Sequence, residues 1–104
     1  MHDNENINVS DQEKYDESKQ LHRVFEILLK DAFDTGDPAG ELAKEACEMH
    51  KQWLCIFNPD YTEEYHIGFV EMCVADERFR ANYEMIAPGC TEFFRDAIKE
   101  YFKI

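Results

Sequence analysis

The stretch "IGFVEMCVADERFRANYEMIAPGCTEFF" (Ile67–Phe94) decides the fold. Apolar residues recur at helical spacing as far as Ala75, and Asp76 supplies the short acidic side chain wanted at a helix N-cap. Pro88-Gly89 then breaks the chain before another helical run. The pattern predicts a helix, a tight restart, a second helix, a break and a third helix. No polar constellation of catalytic type interrupts the aromatic pattern. A chain built this way can enclose something apolar but has few tools for turning bonds over, which points to a binding domain.

Upstream, the pattern is helical from about Asp11 to Asp34, with Leu21, Val24, Phe25, Leu28, Leu29 and Ala32 on one face. Gly36 ends it, where a left-handed residue is wanted. Asp37-Pro38 reads as the cap and first turn of the next helix. Its stripe is Leu42, Ala46, Met49, His50, Trp53 and Phe57, and Asn58-Pro59-Asp60 closes it. A third helix opens near Asp60 or Thr62 and presents Tyr65, Phe69, Met72 and Cys73. The short fourth helix bears Phe79, Tyr83 and Ile86. The last, about Gly89 to Phe102, carries Phe93, Phe94, Ala97, Ile98 and Tyr101. Alternating β-branched runs are missing, so the fold class is all-α, a compact domain of five helices with short connections. Residues 1–10 hold too few apolar groups to offset the entropy of ordering. The chain divides into a flexible acidic segment over 1–15 and an ordered domain over 16–104.

A chain of 104 residues makes one domain. Its net charge of −12, with the Lys and Arg residues scattered among acids, excludes direct nucleic-acid binding by this chain. No apolar run reaches the roughly 20 residues of a membrane span, and the N-terminus lacks the basic start and apolar centre of a signal peptide. Cys47, Cys55, Cys73 and Cys90 have no Cys-x-x-Cys spacing. They read as reduced residues of a cytoplasmic protein, set in apolar segments.

Catalytic chemistry finds no seat. Ser10 and Ser18 both lie in the polar N-terminal region, and the four glycines are isolated, so neither a serine triad nor a phosphate loop is present. Cys47/His50 and Glu63/His66 are each spaced i, i+3, but no Glu-x-x-His pair recurs in both helices. No metal and no cofactor is expected, and both histidines read better as polar residues lining a pocket. The candidate ligand-binding set is His50, Trp53, Phe57, Tyr65, His66, Phe69, Met72, Phe79 and Tyr83. It mixes large rings with hydrogen-bonding groups on the inward faces of the middle helices, as small-molecule sites between helices do. Any one of these rings can instead be plain core. The collective argument for a pocket is that buried histidines and tyrosine hydroxyls need partners.

"EMCVADERFRANYEMIAPGCTEFFRDAIKEY" (Glu71–Tyr101) closely resembles the signature of the TipA-type thiopeptide-antibiotic recognition domain. The resemblance extends upstream through "DAFDTGDPAGELAKEACEMHKQWL" (Asp31–Leu54) and "YHIG" (Tyr65–Gly68), and covers about residues 20–102. It implies a globin-like all-α fold enclosing a cleft for bulky, lipophilic, multi-ring compounds. In many bacterial regulators of the MerR class this domain is the effector half, and drug binding there activates resistance genes while ordering the domain's N-terminal part.

Two departures qualify that inheritance. The chain starts at Met1 with no DNA-binding half, so it reads as a fragment or as a stand-alone relative that sequesters a drug. Thiopeptide-capturing members use a cysteine that falls here on Gly68, and a second family cysteine falls on Tyr61. Cys73 is about 140° around the helix from Gly68 and is no simple replacement. The leading expectation is therefore non-enzymatic, non-covalent binding of a lipophilic antibiotic or drug-like molecule, with the acidic balance favouring cations. The alternative is a helical interaction module docking on a separate DNA-binding partner. Monomer and homodimer both stay open.

Overall fold

The protein is described by a computed structural model covering the backbone of residues 2–104 and the side chains of residues 11–104. Five helices follow one another: α1 (His2–Thr35), α2 (Glu41–Phe57), α3 (Glu63–Ala75), α4 (Glu77–Glu84) and α5 (Cys90–Phe102). No strand occurs among the described residues. The fold is all-α, as the periodicities require.

Helix α1 is longer than expected, starting at His2 rather than near Asp11. No proline or glycine lies between His2 and Thr35, so nothing in the covalent chain halts the helix early. Thirty-four residues at ~1.5 Å rise give about 51 Å, which is the longest dimension of the molecule, 51 × 27 × 24 Å. Residues 11–17 are all exposed, and burial starts at Ser18 and continues through Phe25, Leu29 and Ala32. Residues 11–17 of α1 therefore stand clear of the core. Val24, expected on the inner stripe, is 42% exposed, because Phe25, Leu29 and Ala32 set the face that meets α2 and α5.

Turns explain the remaining boundaries. Gly36 sits at φ +74° and ends α1 as a left-handed cap. Helix α2 starts at Glu41 and not at Asp37-Pro38: the Asp37 carboxylate accepts from the Ala39 N–H at 3.0 Å, closing a separate turn first. Thr62 caps α3 by accepting from the Tyr65 N–H at 3.0 Å. Asp76 ends α3 and caps α4, its carboxylate accepting from the Arg78 N–H at 2.9 Å. Gly89, at φ +89°, starts α5, where a side chain would be strained. Across this break the Glu84 carboxylate accepts from the Gly89 N–H (3.0 Å), the Thr91 N–H (3.1 Å) and the Thr91 hydroxyl (2.6 Å). Those bonds hold its pKa below the ordinary carboxylate value and serve α5 as a cap supplied from α4.

The core comes from all five helices. Phe25, Leu29, Cys47, Val70, Cys73, Phe94 and Ile98 are buried at its centre. Cys90 is buried too, while Cys55 alone of the four thiols is exposed.

Candidate cleft and the buried polar chain beneath it

Under the inner half of α1 lies a cleft of about 730 Å³. One wall is α1, through Ser18, Lys19, His22, Arg23 and Glu26. Trp53 enters from α2, Phe69 and Cys73 from α3, and Phe79, Asn82 and Tyr83 from α4, with Met85 and Ile86 at its end. The short helix α4 restarts at Asp76, and its Phe79 and Tyr83 line the cleft together with the α1 residues. Trp53 bridges floor and wall, its ring 4.9 Å from His22, 5.2 Å from His50 and 6.1 Å from Phe69.

The nine expected site residues separate into three groups. Trp53, Phe69, Phe79 and Tyr83 line the cleft together. His50 and His66 lie in the core and have no exposed surface. Phe57, Tyr65 and Met72 are elsewhere on the surface. Phe57 meets Tyr15, Asp11 and Gln12 in a shallow hollow at the far end of α2, while Tyr65 and Met72 point outward from α3 at 42% and 38% exposure. Helix α3 is apolar on nearly every side, and it buries His66, Val70 and Cys73 rather than Tyr65 and Met72. A stripe one residue over was equally good in the sequence, and packing against α5 chose between them. The pattern gave no sign of Lys19, His22, Arg23 and Asn82, which also line the cleft.

The two buried histidines use their ring nitrogens on each other. His50 Nδ1 and His66 Nε2 share a hydrogen bond of 2.8 Å, and the rings stack at 4.9 Å. The chain continues at both ends: His50 Nε2 lies 3.3 Å from the Tyr83 hydroxyl, and His66 Nδ1 lies 2.8 Å from the Tyr61 hydroxyl. Burial, then the neighbouring His66 and His22, keep the His50 pKa well below its ordinary value. Burial and the Lys51 ammonium lower that of His66 to about 4. Both rings are thus neutral at pH 7, each with one N–H and one acceptor nitrogen. Only two proton orders satisfy all four groups, one running from Tyr61 towards Tyr83 and the other in reverse. No buried side-chain polar atom among the described residues lacks a partner. Neither histidine lines the cleft as expected: each other, Tyr61 and Tyr83 supply the partners they need, so that need does not call for a guest. Sequence reasoning could not show that residues 16 apart would supply each other.

Nucleophilic capacity at the cleft is low. Cys73 is its one thiol, buried, with a pKa raised by desolvation and partly offset by the Tyr83 hydroxyl. Tyr83 is itself raised well above the usual phenol range by burial and by Cys73. Gly68 is exposed on α3, and a side chain there would meet open space rather than the cleft. Tyr61, the second family cysteine position, is held in the polar chain and pushed up to about 12, mainly by burial. The arrangement is suited to holding an aromatic guest by contact area and hydrogen bonds.

Among the described residues no helix is long and apolar enough to cross a membrane. A family model for the TipAS antibiotic-recognition domain matches residues 2–101, essentially the whole chain. No curated protein and no solved structure matches.

Proposed function

Because the chain belongs to the TipAS antibiotic-recognition domain family, we propose that it binds a bulky, lipophilic, multi-ring small molecule in the α1–α4 cleft, non-covalently and without turnover. The observation that carries this is the cleft itself. About 730 Å³ walled by Trp53, Phe69, Phe79 and Tyr83 is the size and chemistry of a drug-sized site. Stacking on these rings supplies contact area and fixes the guest's plane. The protonated Cys73 favours reversible over covalent capture.

Binding serves one of two ends in this proposal. Joined to a MerR-class DNA-binding half, the domain would report the compound to a promoter; acting alone, it would sequester it. Either role belongs in the cytoplasm, where thiols such as Cys47, Cys73 and Cys90 stay reduced. The outer part of α1, with residues 11–17 exposed, is the segment that a guest in the cleft would help to order.

Trp53 is the lone tryptophan and lines the cleft, so its emission reports occupancy directly. Titration with thiopeptides and polyaromatic compounds should give a saturable change in emission and a raised Tm. Mass spectrometry after denaturation should return the unmodified protein mass. If no member of the panel moves either the emission or the Tm of the folded domain, the proposal fails.

A further inference from the structure

Acidic residues outnumber Lys and Arg by 23 to 11 in the whole chain, roughly two to one. The cleft reverses this ratio. Its formally charged lining is Lys19, Arg23 and Glu26, two cations against one carboxylate, and the facing α4 wall of Phe79, Asn82 and Tyr83 carries no charge. Lys19 and Arg23 are four residues apart, so they stand on one face of α1, where like charges repel. Neither has a carboxylate within ion-pair distance among the described residues. Lys19 Nζ rests over the Tyr15 ring at 4.8 Å. The one carboxylate is already engaged, Glu26 Oε1 lying 3.3 Å from His22 Nδ1.

We propose that the cleft selects an aromatic ligand bearing an oxyanion, seated between Lys19 and Arg23 with its ring system against Trp53 and Phe69. The inference rests on the cleft being the ligand site. It runs opposite to the preference for cations that the overall composition suggests, and distance decides between the two. At physiological salt, exposed charges more than about 8 Å apart are largely screened, so the remote acidic surface weakens while the two adjacent cations keep their effect. An anion between them also relieves their mutual repulsion. The acidic exterior then acts on approach, slowing anionic ligands, and the cleft wall acts on affinity.

Three pyrene probes that differ only in their polar end test this: 1-pyrenebutyrate, its primary amide and the corresponding trimethylammonium. Each is titrated against the full chain by quenching of Trp53 emission, at about 20 and about 150 mM salt. The acid should bind about five- to tenfold more tightly than the amide, with the ammonium weakest, and the higher salt should narrow the gap. In K19Q/R23Q the acid-to-amide ratio should fall to about one. K44Q/K99Q makes the same charge change outside the cleft and should leave the ratio as it was. Equal binding of acid and amide, or tightest binding of the ammonium, overturns the inference and leaves the cleft as the ligand site. Failure of all three probes to bind the folded protein removes that site and the inference with it.

Discussion

Trp53 and Phe94 belong to the same aromatic neighbourhood but should answer truncation differently. Trp53 is half-buried at the cleft edge, so Trp53→Ala leaves an open notch rather than a sealed void. Phe94 is 1% exposed, with ring centroids of Phe25, His50 and Tyr83 all within 5.5 Å. Phe94→Ala should cost about 3–5 kcal/mol, a large share of the 5–15 kcal/mol that holds a small domain together. Trp53→Ala should cost about 2 kcal/mol yet abolish ligand binding. Denaturant melts with calorimetric titration check both, and a Trp53→Ala protein no more stable than Phe94→Ala would place the indole in the core. At this scale the sequence was half legible. Helical spacing put Trp53, Phe69, Phe79 and Tyr83 on inward faces, and there they meet. It could not show that Phe57 lies past the end of the packed part of α2, or that an all-round apolar α3 would turn Tyr65 and Met72 to solvent. Those outcomes depend on neighbours distant in sequence. Nor could it reveal that His50 and His66 satisfy each other.

The elements most exposed to test are the α3–α4 junction and the outer part of α1. Asp76 is the last partner of α3 and the N-cap of α4, and α4 carries half of the cleft's aromatic wall. Asp76→Ala should cost about 1 kcal/mol, lowering Tm by about 5 °C, with a weaker guest affinity because Phe79 and Tyr83 lose their fixed angle. Asp76→Ser restores a capping oxygen and should recover most of both losses; if calorimetry shows it behaving like the alanine variant, the cap is not what sets α4. The start of α1 makes a contrasting case. Residues 11–17 touch no core, so a chain beginning at residue 15 should melt within about 3 °C of the full one. Its ligand affinity should drop, since Lys19 would then lie only one turn from a fraying helix end. Unfolding of the shortened chain would show that α1 stabilises the domain from its outer end. Caps were legible because short polar or glycine residues stood at Gly36, Thr62, Asp76 and Gly89. The start of α2 was not, because Asp37 spends its carboxylate on a turn that looks like a cap in sequence.

For the molecule as a whole, the buried imidazole pair sets the response to acid. Above about pH 7.5 neither the folded nor the unfolded chain protonates His50 or His66 appreciably. From about pH 7.5 down to about 4 the unfolded chain takes up protons that the folded one refuses, since burial keeps His50 well below its ordinary value and His66 near 4. The unfolded state then binds more protons, so stability falls as pH drops. Each histidine contributes at most about 1.4 kcal/mol per pH unit within that window. The opposing effect, relief of self-repulsion in a chain of net charge −12, requires protonated carboxylates and so begins near pH 4.5 and below. Asp76, Glu84 and Glu92 oppose that relief. Their pKa values are held down by Arg78, by the Gly89 N–H and by Arg80 respectively, so the stability they add above pH 4.5 is lost as pH falls through their folded values. Acid denaturation should therefore come in two stages, the first starting near pH 7 with no carboxylate involved. Urea melts at pH 7.5, 6.0 and 5.0 should show the free energy falling across the series, and NMR of the imidazole protons should show neither buried ring charging above pH 5. His66→Gln can still donate to and accept from its two partners but cannot titrate, so its slope over the same range should be about half that of the parent. An unchanged slope would mean that the first stage arises outside the Tyr61–His66–His50–Tyr83 chain.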